Sequence, residues 1–286
     1  MPDYRGSSVV VTGGGSGLGA AIADRFAHAG ARIALLDVDG TSAEAKAVEL
    51  RAEGADAISL AVDVADAASL TRATAIVQQK LGGCDVLCAN VGVQQFGAIE
   101  TLSEADWQWV ISVNVMGVIH SVRAFLPLLR RSTRAKRHVV LTASASFFQP
   151  AARMAAYVTT KYAVVGYGEV LRRELAAEGI NVTLLFPAGM TTRHLESSAA
   201  ARPEALGPSL FDMEDLTAML ADAQIDPSTH TASPDYAVRS LLEELERRPP
   251  YIITHGAYRD RIEQDHRAIL DAYARMEGTK VKERRQ

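Results

Sequence analysis

Cysteine is nearly missing from this chain: Cys84 and Cys88 are its only two in 286 residues. Two cysteines do not make a disulfide scaffold, and a four-residue spacing with no histidine or further cysteine nearby does not make a metal site. Both lie in or beside an apolar segment and read as small buried hydrophobes, so no metal is expected. A charge of one sign is lacking too. The net charge is −4 and no basic stripe runs through the sequence, which argues against nucleic acid and anionic membranes as partners. No apolar stretch looks long enough to span a bilayer and no secretory signal is evident, so the expected location is cytoplasmic. Repeats and low-complexity linkers are also absent, and the whole of 1–286 is expected to form one domain. The cations of Arg130-Arg-Ser-Thr-Arg-Ala-Lys-Arg137 are expected in a solvated turn after a helix. Residues 278–286 are expected to be a flexible tail.

What is present is an alternation. Hydrophobic residues make up 48% of the chain, and strand-like runs alternate with helix-like periodicity throughout. That pattern predicts an α/β fold: a Rossmann-like, doubly wound parallel sheet of about seven strands with helices on both faces. Strands are predicted near 8–12, 31–37, 56–62, 84–89, 137–143, 180–186 and 251–254. The longest helices are predicted near 104–130 and 155–178. A chain this long can bury about three-quarters of its unfolded surface.

The first strand opens into Thr12-Gly13-Gly-Gly-Ser16-Gly17-Leu18-Gly19 and then into a helical pattern. Glycines at 13, 17 and 19 let the backbone turn tightly and approach a pyrophosphate, whose charge the helix N-terminus favours. The second strand ends on Asp37, where a carboxylate can accept both adenosine ribose hydroxyls and repel a 2′-phosphate. Ser16 occupies the loop position where a cation would serve that phosphate. Both point to NAD. Asp37 could equally be a turn or capping carboxylate, a role open to Asp39 as well.

A third set of residues carries chemistry. The strand His138-Val-Val-Leu-Thr-Ala ends at Ser144, and Tyr157 and Lys161 follow one helical turn apart on one helix face. They combine a phenol that can lose a proton, a cation and a hydroxyl, at the strand ends where open α/β sheets bind ligands. Ser146 is the rival hydroxyl, and the spacing favours Ser144.

With these motifs the chain resembles the short-chain dehydrogenase/reductase family, in its single-domain branch, over about residues 5 to 255. Asp63-Val64 follows the third strand where the family contacts adenine, and Asn90-Val-Gly92 is similar to its Asn-Ala-Gly turn. Asn114 matches the asparagine that completes the catalytic tetrad. Pro187-Ala-Gly189-Met190-Thr-Thr192 matches the segment that wraps the nicotinamide. Ala89, Val91 and Ala188 depart from the usual residues around these turns. The resemblance implies an NAD-dependent enzyme moving hydride between the cofactor and a secondary alcohol or ketone. Tyr157 would be its base, with Ser144 on the substrate oxygen, Lys161 on the nicotinamide ribose and Asn114 holding a relay water. Lys161 and the positive nicotinamide together are expected to draw the phenol below its usual pKa near ~10. An NADPH-dependent ketone reductase and a non-catalytic dinucleotide sensor are the alternatives. The family also implies a homotetramer or homodimer, with Trp107, Trp109 and Phe125 as candidate interface residues.

The substrate side is read from position. Residues 190–233 are expected to close over the substrate, with Phe211, Leu216, Met219, Leu220 and Ala223 at helical spacing as a lid underside or as a core helix. Gln94 and Phe96 after the Asn90 turn, Phe147 and Phe148 after Ser144, and His194 are the candidate substrate contacts. They favour an apolar, ring-containing alcohol or ketone.

Overall fold

The computed structural model describes residues 2–208, 213–223 and 231–283. The main sheet comprises β1 (Ser8–Thr12), β2 (Arg32–Asp37), β3 (Ala57–Ala61), β4 (Val86–Ala89), β5 (His138–Thr142), β6 (Asn181–Phe186) and β9 (Tyr251–Ile253). Each lies within two residues of its expected position. All pairings are parallel, in the order β3-β2-β1-β4-β5-β6-β9. A separate two-stranded piece pairs β7 (Gly189–Met190) with β8 (Thr231–Ala232).

Successive strand side chains point to opposite faces, and here both faces are dry. Val10, Leu36, Leu87, Val139, Leu141 and Leu184 enter one core, while Val9, Val11, Leu35, Val86, Val140 and Leu185 enter the other. The first core is roofed by α3 (Ala67–Leu81), α5 (Gly117–Arg131) and α6 (Ala155–Leu175). The second is roofed by α1 (Gly17–His28), α2 (Gly40–Ala52) and α10 (Leu241–Arg247), just after the short α9 (Pro234–Ala237). Cys84 falls in the first core and Cys88 in the second, both with free thiols.

Strand order reverses between β1 and β4, which opens a crevice at their carboxyl ends. The helix predicted near 104–130 is one continuous run made of α4 (Glu104–Ile111), a π turn over Ser112–Met116, and α5. By length and composition Glu104–Arg131 could cross a bilayer, contrary to the expectation that no stretch is long enough. Its apolar side nevertheless packs on the sheet through Val118, Val122, Phe125 and Leu129, making it a core helix. The same packing corrects the interface expectation. Phe125 is fully buried and Trp109 nearly so within one chain, and Trp107 is half-buried against Trp109's cluster.

The basic run closes α5 and forms a largely exposed turn, as expected, with surface partners for several of its cations. Arg130 makes a two-point pair with Glu178, Arg134 donates to the Gly6 carbonyl, and Lys136 donates to the Asp3 carbonyl. A last helix, α11, spans Arg259–Glu283.

Candidate active site

The β1-to-α1 turn owes its shape to three glycines. Gly13 and Gly17 adopt left-handed φ values of 65° and 53°, which cost a residue with a Cβ. Gly19 is required for a different reason: a Cβ there would lie 1.9 Å from the Gly13 carbonyl oxygen. The loop can therefore fold back against the first turn of α1. Ser16 precedes that helix in an extended conformation and makes no side-chain cap, so the first-turn amides keep no side-chain partner. Gly13, Ser16, Gly17 and Leu18 line the mouth of a cavity of about 1000 Å³.

Asp37 and Asp39 divide two tasks that the sequence left open. Asp39 caps α2 by accepting from the Thr41 and Ser42 amides at 3.0 and 3.1 Å. Asp37 lines the cavity, and its Oδ2 accepts from the Gly15 amide at 3.0 Å. Burial raises its pKa, opposed by the Gly15 and Asp39 amides. Asp63 and Val64 line the same end.

Asn90 ties the turns together. Its amide nitrogen donates to Thr12 Oγ1 at 3.0 Å, and its Oδ1 accepts from Thr142 Oγ1 at 3.1 Å. It thereby links the ends of β1, β4 and β5. The substituted neighbours cause no break: Ala89 is an ordinary buried strand residue, and Val91 packs against the core.

The four expected catalytic side chains converge. Ser144 ends the β5 segment, and its hydroxyl accepts from the Ser146 amide at 3.1 Å. The same hydroxyl lies beside the Tyr157 phenol and favours its ionised form, whereas Ser146 Oγ is buried without a hydrogen-bond partner. Lys161 Nζ lies 5.5 Å from the Tyr157 ring centroid and donates to the Thr142 carbonyl at 3.0 Å. Asn114, fully buried in the π turn, receives the Val93 amide at 2.8 Å and donates to the Val93 carbonyl and to Thr160 Oγ1. Insertion of a π turn into an α-helix is a recurrent feature of functional sites. Gly92 sits between these groups; a Cβ there would be 3.2 Å from Lys161 Nζ and 3.7 Å from Asn114 Oδ1.

Burial controls the electrostatics. It pushes the Lys161 ammonium down to about 8. It also raises the Tyr157 phenol, with the Ser144 hydrogen bond pulling the other way. In the protein alone the phenol therefore lies above its ordinary value; the lowering expected from the sequence also calls on the positive nicotinamide.

On the substrate side the expectations divide. Gln94, Phe96 and His194 line the cavity. Phe147 and Phe148 do not: they turn into an aromatic cluster with Tyr162, Phe186 and Tyr258. The short 3-10 turn that Ser144 caps rotates them onto the core instead of the crevice. His194 opens α7 (His194–Ala200), with its ring centroid 6.5 Å from that of Tyr157. Burial and the Lys161 charge push its pKa down to about 4, so the imidazole is neutral at pH 7. Phe211 lies outside the described residues. Leu216, Met219 and Leu220 of α8 (Met213–Ala223) line the cavity, and Asp222 accepts from the Ala152 amide at 2.8 Å. Pro187, Gly189, Met190 and Thr192 complete the wall facing the glycine loop.

One group of residues escaped the sequence reading. Arg202 and Asp106 form an ion pair at 2.6 Å with side chains only 5% and 2% exposed. Arg202 also donates to Gln95 Oε1 at 3.0 Å and lies 5.5 Å over the Trp109 ring. Ser198 Oγ adds a second tie by accepting from the Gln94 amide at 3.0 Å. These contacts fasten α7 and the turn after it to the loop beyond β4.

A glycine turn without room for a Cβ, an uncapped helix start and a carboxylate at the end of β2 fit a nicotinamide dinucleotide. Comparison with known proteins agrees. The profile of the short chain dehydrogenases matches residues 7–203. The chain belongs to this family. A family member from Sphingobium sp. (strain NBRC 103272 / SYK-6), a C alpha-dehydrogenase, is 31% identical over 279 residues, 97% of this chain and 90% of its own length. The 1-deoxy-11-beta-hydroxypentalenate dehydrogenase of Streptomyces exfoliatus is 33% identical over 76% of this chain and 78% of its own. A short chain dehydrogenase/reductase from Burkholderia phymatum, solved in complex with NAD, superposes with a TM-score of 0.84 at 30% identity, covering 94% of this chain and 96% of that one. The family member described here is thus an oxidoreductase that acts on alcohol groups of small molecules with a nicotinamide dinucleotide.

Proposed function

We propose that the chain is an NAD-dependent dehydrogenase of an apolar, ring-containing secondary alcohol, able to reduce the matching ketone. The observation that carries the cofactor choice is Asp37, left free of capping duty by Asp39 and facing the cavity beside the Gly15 amide. The ring preference rests on Val93, Phe96, Trp109, Met154, Leu216 and Met219, an apolar lining around the Ser144–Tyr157 pair. Relatives whose names specify a cyclohexadiene-diol and a hydroxypentalenate as substrates support the same reading.

In this mechanism Tyr157 takes the alcohol proton, and Ser144 holds the substrate oxygen and steadies its developing charge. The chemistry a bound NAD would supply is hydride acceptance together with a positive charge. Gly13, Gly17 and Gly19 admit the pyrophosphate, Asp37 takes the adenosine ribose, and Asp63 with Val64 borders the adenine. Lys161 supplies the nearest fixed positive charge and grips the second ribose. Asn114, whose amide groups bind Val93 and Thr160, fixes the loop around Lys161 and positions a relay water. Neutral His194 and Gln94 orient the substrate. Residues 190–233 close over it, in a cytoplasmic homodimer or homotetramer.

The test is a cofactor titration with an alcohol and ketone panel read at the NADH absorbance. Wild type is expected to favour NAD over NADP by roughly 100-fold in kcat/KM, and Asp37→Ala with Ser16→Arg to relax or invert that ratio. A wild-type preference for NADPH would remove the proposed role of Asp37.

A further inference from the structure

The carboxyl-terminal helix α11 has no evident reason to stand where it does. Its 25 residues extend roughly 37 Å, and from residue 259 to 277 every side chain except the half-buried Ile262 is exposed. In proteins most of a helix's stability comes from tertiary packing of an apolar face. This helix has one. At 100° per residue, Ile262, Ile269, Tyr273 and Met276 fall within about 60° of arc. Ile269 is 65% exposed and Tyr273 57%. Singly exposed apolar residues are ordinary, but a row of them on a projecting helix marks a contact surface.

The charges beside the row select the occupant. Arg259 and Glu277 lie on the same shoulder of the helix, each about 60° from Ile262 on the same projection. Two copies of α11 packed antiparallel about a twofold axis near Ile269 bring matching shoulders together. Ile262 then meets the partner's Met276, Ile269 meets the partner's Ile269, and Arg259 runs alongside the partner's Glu277, twice per pair. Arg259 is held within its own helix only by a 3.7 Å contact to Glu263, so it is available for the exchange. A membrane surface fits less well. Residues 259–277 carry four arginines against five carboxylates, without the basic face of an interfacial helix. A helix pair of this length buries on the order of 600 Å² per copy, near the roughly 800 Å² per partner of a standard interface.

We propose that α11 is an association arm that pairs antiparallel with α11 of a second copy of this chain. The arm begins one residue after Tyr258, which lines the active-site cavity, so pairing also braces the cavity rim. The proposal names a surface for the assembly put forward above and rests on that reading.

The test uses the full chain. Sedimentation of wild type at micromolar concentration should show at least a dimer. Ile269→Glu with Tyr273→Glu should halve the assembly while NAD binding persists. Glu277→Arg should weaken association at least tenfold, and adding Arg259→Glu should restore it. Ile269→Cys should form an interchain disulfide under mild oxidation, and Ile99→Cys, on a more exposed residue remote in sequence, should not; the native thiols are buried. A monomeric wild type overturns both the assembly and the arm. An oligomer unchanged by the paired Glu substitutions overturns the arm alone. Failure of the Ile269→Cys variant to crosslink overturns the antiparallel pairing, as does flotation of a monomer with anionic vesicles.

Discussion

At the β1–β4 crossing the crevice is shaped by backbone: Gly13 and Gly17 turn it, Gly19 lets it close on itself, and the strands on either side hold its ends. Across the crevice, residues 193–207 are held by side chains that reach over about a hundred positions of sequence, Arg202 to Asp106 and Ser198 to Gln94. A backbone-built half offers little to vary without losing the turn. A side-chain-built half can change its tie points one residue at a time while the sheet stays as it is. The two halves should therefore respond differently to substitution. Dinucleotide affinity should follow the glycines and Asp37, and substrate affinity should follow the clasp.

The largest expected effect falls on the seam between them. Tyr157→Phe removes the ionisable oxygen that receives the Ser144 hydrogen bond and keeps the buried ring. Turnover should fall by roughly 10²–10⁴-fold, the usual contribution of a general base. The NAD dissociation constant, measured by fluorescence or calorimetry, should stay within about twofold of wild type. A variant keeping a tenth of wild-type kcat would show that the base is elsewhere; a lost affinity for NAD would show that the halves are not separable.

The clasp comes next. Arg202→Met leaves Asp106 charged and nearly inaccessible with only its Ser103 partners, and breaking such a buried pair typically costs about 3–5 kcal/mol. Chemical denaturation should show that loss, while Arg202→Met with Asp106→Leu should recover much of it. Steady-state kinetics sharpen the comparison. In the double variant KM for a bulky alcohol should rise about tenfold, with kcat for a small alcohol and the affinity for NAD nearly unchanged. Equal changes in both affinities would mean that Arg202 supports the whole fold and not the substrate wall.

This division also explains what could be read from sequence. The strands were legible because each carries a continuous apolar run that two dry cores demand. The glycine loop, Asp37 and the Tyr157–Lys161 pair were legible because their partners lie within one turn or one strand–helix unit. Phe147 and Phe148 misled because adjacency to Ser144 says nothing about rotation, and the 3-10 turn sends both rings to Phe186. Arg202 and Asp106 were invisible for a different reason: one lies in the turn after α7 and the other in α4, two ordinary charged residues until folding brings them to 2.6 Å. The burial that raises the phenol pKa in the protein alone was not legible, because sequence shows the neighbouring lysine and not what encloses it. Trp109 and Phe125 looked available for a partner because helical periodicity does not say which side the sheet occupies.

The smallest expected effect concerns Lys161, which touches both halves and belongs wholly to neither. Its ammonium is 2% exposed, and burial lowers its pKa from 10.5 to about 8. Between those values the unfolded chain holds the proton that the folded chain has given up. Stability therefore rises with pH across that window, and the penalty is complete below pH 8. A shift of this size corresponds to roughly 3 kcal/mol, reduced by about 1 kcal/mol for the hydrogen bond to the Thr142 carbonyl that a substitution would forfeit. Lys161→Met should consequently raise stability at pH 7 by about 1–2 kcal/mol even as it removes activity. The gain should shrink through zero as the pH climbs from 8 to 10.5, leaving the variant about 1 kcal/mol the less stable once the penalty is gone. Denaturant titrations at pH 7, 9 and 10 measure this directly. If the Met variant is less stable than wild type at pH 7, the Lys161 charge is stabilised by partners strong enough to overcome burial. The seam would then be a structural joint as well as a catalytic one.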